Sequence, residues 1–126
     1  HTYYSNKRYD ENGVRYADLD LDDVSSYGPE TTTIYKMQDT GVYSFYIHDF
    51  SNKWASESKE MSNSGARVKV YSEDNLVATY NIPTNKEGTL WHVFDYDAEA
   101  NKLYQLIIFP MNQVQEMLEG ALILAK

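Results

Sequence analysis

Cysteine is absent from the chain, which removes disulfides, thiolate metal sites and cysteine nucleophiles together. That absence suits the surface proteins of bacteria that avoid disulfides. Basic residues are few: 11 against 19 acidic ones, for a formal charge of −8. An acidic field repels phosphate backbones and anionic bilayers, and no basic stripe overrides it, so no nucleic acid partner is expected. No apolar run approaches the roughly 20 residues that span a bilayer, so no membrane insertion is expected either. Only three prolines occur, with no Pro-rich linker, no internal repeat and no low-complexity tract. The first residue is His1 rather than Met and no signal-peptide pattern precedes it, so a processed product, an excised piece or an ordered fragment is expected.

With 126 residues, 42% of them hydrophobic, the chain fits one soluble domain with one core, and disorder is not expected. Tyrosine stands out: 12 residues, against 4 Phe and 2 Trp. Its large ring and polar tip suit strands with one wet face and surfaces that bind polar ligands.

Period-two patterning dominates. Leu19 and Leu21 alternate with Asp18, Asp20 and Asp22, giving one apolar face and one face of carboxylates. A turn is expected over Ser25–Pro29, a strand over Thr31–Met37, and a turn at Asp39-Thr40-Gly41. The clearest strand is Val42–Phe50, with Tyr43, Phe45 and Ile47 on one face and Ser44, Tyr46 and His48 on the other. Ser51–Ser64 is polar and reads as a long loop. Ala66–Tyr71 and Leu76–Ile82 flank a short polar connection and read as a hairpin. Leu90–Tyr96 and Leu103–Phe109 complete the strands. After Pro110, residues Val114, Met117, Leu118, Ala121, Leu122 and Ala125 fall at helical spacing, which predicts a C-terminal α-helix over about 111–125. Some seven short strands without interleaved helices predict a mostly β fold, an antiparallel β-sandwich closed by that helix.

Several segments carry a family resemblance when taken in order. They are Ala17–Asp23, Ser25–Thr31, Gly41-Val42-Tyr43 running to Ile47–Phe50, Ser62–Ala66 leading into Val68–Tyr71, and Gly88–Phe94. Together they resemble the YfaP-like bacterial domain of unknown function found in exported and surface multidomain proteins, over roughly residues 1–96. The resemblance implies a β-rich module in the extracellular space, at the cell surface or in the periplasm, beside other domains of the same protein. Such domains begin with a further strand carrying Trp-Gly and an Asp-Leu-Asp-Ser-His element just upstream of a segment like His1–Tyr4; that strand is not in the sequence, so either the chain was cut there or the segment lies outside it. Its absence from the fold would leave a sheet edge or groove open to a partner.

The aspartates are the strongest chemical feature. Asp18, Asp20 and Asp22 recur on one strand face about 7 Å apart, with Asp23 and Glu30 close in sequence. Such an oxygen-rich set suits Ca²⁺, which takes six to eight oxygen ligands, though the spacing is not that of an EF-hand loop. The alternative is a solvated strand face, with Asp22 or Asp23 capping the following turn. Trp54 in the polar loop, with Tyr46 and Tyr71 on outward strand faces, could stack against sugar rings; cross-strand aromatic packing is the competing explanation. His48-Asp49, and His92 with Asp95, invite a catalytic reading, but no nucleophile elbow accompanies them and zinc-motif spacings are absent. Both histidines are expected to be structural, and the chain not to be an enzyme. The expected role is a non-catalytic module for adhesion, scaffolding or ligand presentation, with a glycan or a surface protein as ligand. The alternative is a carbohydrate-binding module attached to a glycan-degrading enzyme.

Overall fold

The computed structural model describes residues 7–21, 29–111 and 122–125, with backbone alone for 20–21, 106–111 and 122–125. Strands dominate it, and no helix occurs among the described residues. In chain order they are β1 Arg8–Glu11, β2 Val14–Leu21, β3 Thr31–Ile34, β4 Val42–His48, β5 Arg67–Ser72, β6 Asn75–Asn81, β7 Leu90–Asp97, β8 Lys102–Met111 and β9 Leu122–Ala125. They form three sheets, ordered β1-β2-β3, β8-β7-β4-β9 and β5-β6. Every pairing is antiparallel except that of β4 with β9, which is parallel.

Two hairpins follow from local chemistry. Asn12 and Gly13 both take positive φ, 51° and 76°, between the paired residues Glu11 and Val14. A two-residue connection of this kind matches the right-handed twist of its strands, and Asn-Gly adopts it at little steric cost. Between Ser72 and Asn75, Glu73 and Asp74 connect β5 to β6, so the expected second hairpin is present.

One core draws on all three sheets. Ala17 and Leu19 enter it from β2, Phe45 and Ile47 from β4, Val68 from β5, Tyr80 from β6, and Trp91, Val93 and Phe94 from β7. Phe94 lies at its centre, stacked on Phe45 at 5.2 Å and on Tyr80 at 5.4 Å between ring centroids. Its position depends on a bulge. Phe45 opposes Phe94 while Tyr46 opposes His92, so Val93 is an extra residue in β7. An inserted residue resets the alternation of side chains. Val93 and Phe94 therefore both face the core, and His92 and Asp95 both face away from it. A second bulge, at Tyr16, lies where Tyr9 pairs with Ala17 but Asp10 pairs with Arg15.

The segment between β4 and β5, expected as a polar loop, also contributes to the interior. Met61 and Ser62 are buried. The Ser62 hydroxyl donates to the Pro83 carbonyl at 2.6 Å and accepts from the Lys86 amide at 2.8 Å. Asn63 Oδ1 accepts from the Asn85 amide, and the Ser58 carbonyl accepts from the Gly88 amide. The two long connections thus hold each other in place, which explains how a stretch rich in serine and asparagine is ordered.

The helix expected over 111–125 meets strands at both its ends: Met111 closes β8, and Leu122–Ala125 is β9. Its middle, 112–121, lies outside the described residues. A short apolar run such as Leu-Ile-Leu-Ala fits a strand as readily as a helix, and β4 offers it backbone partners from Phe45 to His48. The turn expected at Ser25–Pro29 lies outside the described residues up to Gly28.

Candidate functional site

The face of the β4–β7 pair turned away from the core holds both internal histidines. His92 Nε2 lies 2.8 Å from Asp95 Oδ1, and the Tyr46 ring stacks on the imidazole at 4.2 Å. His92, His48 and Leu90 are all buried. In an unbroken strand, residues three apart point to opposite faces; the bulge at Val93 brings His92 and Asp95 together. The arrangement satisfies a buried imidazole with a carboxylate acceptor. Tyr46, expected on an outward face and as a ligand contact, is only 2% exposed. Its ring is occupied with His92, and it is not a surface platform.

His48 lies next to Phe50, edge to face at 6.0 Å. Burial pushes its imidazole below the ordinary value of 6.5, with Asp49 opposing that shift and Lys53 adding to it. The unfolded chain therefore takes up a proton at His48 at a higher pH than the folded one does. Stability attributable to this group is constant above about pH 6.5 and falls as the pH drops through the window below it, by at most about 1.4 kcal/mol per pH unit for one proton. Denaturant titrations between pH 7.5 and 5 should show wild type losing more stability than His48→Gln. Parallel losses in the two proteins would assign the acid sensitivity to other groups.

Of the aspartates expected to line a carboxylate face, Asp18 is engaged by arginines. Asp18 is 9% exposed, covered by Arg8 at 3.5 Å and Arg15 at 3.4 Å. The bulge at Tyr16 brings Arg15 onto the same face as Asp18, three residues on. Arg15 also reaches Asp10 at 3.4 Å, so the outer face of β1 and β2 carries charges of alternating sign. Two guanidiniums occupy the Asp18 carboxylate, and a cation would have to displace them. Glu30 is half-buried just before β3. The side chain of Asp20, and Asp22 and Asp23 altogether, lie outside the described residues. Among the described residues no group of three or more acidic or histidine side chains is gathered to hold a metal ion.

Trp54 and Tyr71 do reach the surface. Tyr71 is 55% exposed on β5, beside its partner Leu76 and the exposed Val77. Trp54 is 90% exposed. The loop bearing it is tied at its base: Asn52 donates through its side chain to Asp49 at 2.7 Å and to Glu60 at 3.0 Å. Lys53 rests over the Phe50 ring at 3.8 Å and lies 5.4 Å from the Trp54 ring. Phe50 is a neighbour that sequence reading passed over; its place in the strand pattern of Val42–Phe50 hid its exposure beyond the end of β4.

Neither protein-family models nor curated proteins nor solved structures give a match to this chain.

Proposed function

We propose that the chain is a non-catalytic module of a bacterial surface or exported protein, related to the YfaP-like domains, that serves adhesion, scaffolding or ligand presentation beside other domains of the same protein. In this reading the sheets are the layers of a β-sandwich. The observation that supports it best is Trp54: a large ring held almost wholly in solvent on a loop fastened by side-chain hydrogen bonds. Leaving a tryptophan face in water forgoes about 1.5–3 kcal/mol of burial, and pre-ordering the loop lowers the entropic cost of binding. The His92–Asp95 pair, the strongest catalytic-looking feature, has its imidazole buried against the Tyr46 ring, and in this reading it serves the sheet.

The alternative is a carbohydrate-binding module of a glycan-degrading enzyme, favoured by the exposed rings of Trp54 and Tyr71. Displayed on a carrier cell, the domain should promote attachment to a bacterial or host surface, and Trp54→Ala should reduce attachment at least several-fold with no change in thermal midpoint. Equal attachment by the two proteins would remove Trp54 from the contact. A glycan array read with the same pair separates the alternatives, since glycan binding lost in Trp54→Ala favours the carbohydrate module.

A further inference from the structure

Charged residues make up 24% of the chain, yet none of the seven residues of β6, Asn75–Asn81, is charged and none is proline. We infer that the outer edge of β6 is a pairing edge for a second copy of this chain, the two β6 strands running antiparallel about a two-fold axis at Thr79. The inference goes beyond the adhesive reading and does not involve Trp54.

The edge is open. β5 and β6 form a two-stranded sheet, and no strand among the described residues pairs with the other side of β6. The Ile82 amide donates to the Ala66 carbonyl at 3.0 Å, which sets the alternation of bonds along the hairpin. Val68 and Tyr80 then bond each other, whereas Thr79 and Asn81 turn amide and carbonyl outward. Both residues are exposed. Arg67 Nε donates to the Asn81 side chain at 3.2 Å, which leaves the Asn81 backbone out of that bond.

The charge pattern selects the occupant. Exposed edges are ordinarily blunted by charges, proline or short length, and the other edges are so protected. β1 carries Arg8, Asp10 and Glu11, β3 and β9 are four residues long, and β8 carries Lys102 and Pro110. β5 carries Arg67 and Lys69, and like charges across a strand pair destabilise it. In a two-fold pairing a strand meets its own sequence, so a cationic strand opposes itself and a neutral one does not. Val77, Thr79 and Tyr80 also favour extended backbone. The register follows from the bulge. Val70 pairs with Ala78 and Tyr71 with Leu76, so Val77 is an extra residue and the regular stretch of β6 is 78–81. Thr79 is the outward-bonding residue inside it and stands against Thr79 of the second copy. Val77, 51% exposed, then stands against Asn81.

The test is sedimentation equilibrium of wild type, Thr79→Lys, Thr79→Glu and an equimolar mixture of the two variants, from micromolar to millimolar protein. Two chains of −8 repel at a distance, so salt is held at about 0.15 M to screen that repulsion. Thermal midpoints serve as the folding control. Wild type should form a concentration-dependent dimer. Like charges facing across the axis should weaken it about tenfold or more in each variant alone, and opposite charges in the mixture should recover it. Thr79→Cys, in a chain without cysteine, should oxidise to a covalent dimer, because opposed Cα atoms about 5.5 Å apart lie within disulfide reach; Lys69→Cys should not. A wild type that stays monomeric would overturn the inference and leave the edge to a strand of a different protein. A dimer unchanged in Thr79→Lys would overturn it by placing the contact elsewhere. Failure of the mixture to recover the dimer, or equal cross-linking of the two cysteine variants, would overturn it as well.

Discussion

Phe94→Ala should cost about 3–5 kcal/mol, the range for emptying a large buried aromatic site, and this is the largest single effect expected in the molecule. Phe94 is buried in the interior and is the ring through which Phe45 of β4 and Tyr80 of β6 are joined. Its removal does more than leave a void, because it cuts the stacking that links the four-stranded sheet to the β5–β6 hairpin. Domains of this size are stable by about 5–15 kcal/mol, so the variant should be largely unfolded at 37 °C or strongly shifted in urea. A loss under 1 kcal/mol would mean that the hairpin is not packed on β7 through this ring.

The second large effect is expected at a polar position. Ser62→Ala removes a single oxygen atom from a fully buried site, yet the lost hydroxyl serves two backbone groups, the Pro83 carbonyl and the Lys86 amide. Leaving buried partners unsatisfied costs about 1–3 kcal/mol. With a urea slope of about 1–3 kcal/mol/M, the midpoint should fall by roughly 1 M. Hydrogen exchange at Asn85, Lys86 and Gly88 should speed up more than in the sheets, because their amides depend on the connection between β4 and β5. Ser62→Cys, which keeps a weak donor and acceptor, should recover little of the loss. If Ser62→Ala unfolds at the wild-type midpoint, the two connections are not interlocked as described.

The strands themselves were legible because alternation is a strong signal. Val42–His48, Arg67–Ser72, Asn75–Asn81, Leu90–Asp97 and the start of β8 lie where the periodicity puts them. What alternation cannot show is where it is interrupted. A bulge changes no residue's character; it changes which neighbour a residue meets. The extra residue at Val93 moved Asp95 to the side of His92, and the one at Tyr16 moved Arg15 to the side of Asp18. Carboxylates that look solvated in a pure alternation therefore have side-chain partners, an imidazole for Asp95 and guanidiniums for Asp18. Tyr46 departs from its expected outward position for a related reason: pointing away from the main core is not pointing into water here, because that side of the sheet is also covered at Tyr46, His48 and His92.

The β1–β2 hairpin carries a readable signal in Asn12-Gly13, the dipeptide suited to a tight two-residue connection. The flanking residues Arg8–Glu11 and Val14–Arg15 hid it, since polar and charged side chains there give no apolar stripe. Buried Met61 and Ser62 were concealed likewise, inside a stretch whose composition reads as surface. Those features depend on contacts between segments distant in sequence, and no local pattern encodes them.

The most direct measurement is a set of NOE contacts from the Phe94 ring and the His92 imidazole. With an additional residue at Val93 turning the strand over, Phe94 protons should show cross-peaks to Phe45 and Tyr80, and His92 to Tyr46. Phe94 cross-peaks to Tyr46 in place of Phe45 and Tyr80 would contradict the account, because the β7 register would then be unbroken and the interior would be assembled from a different set of side chains.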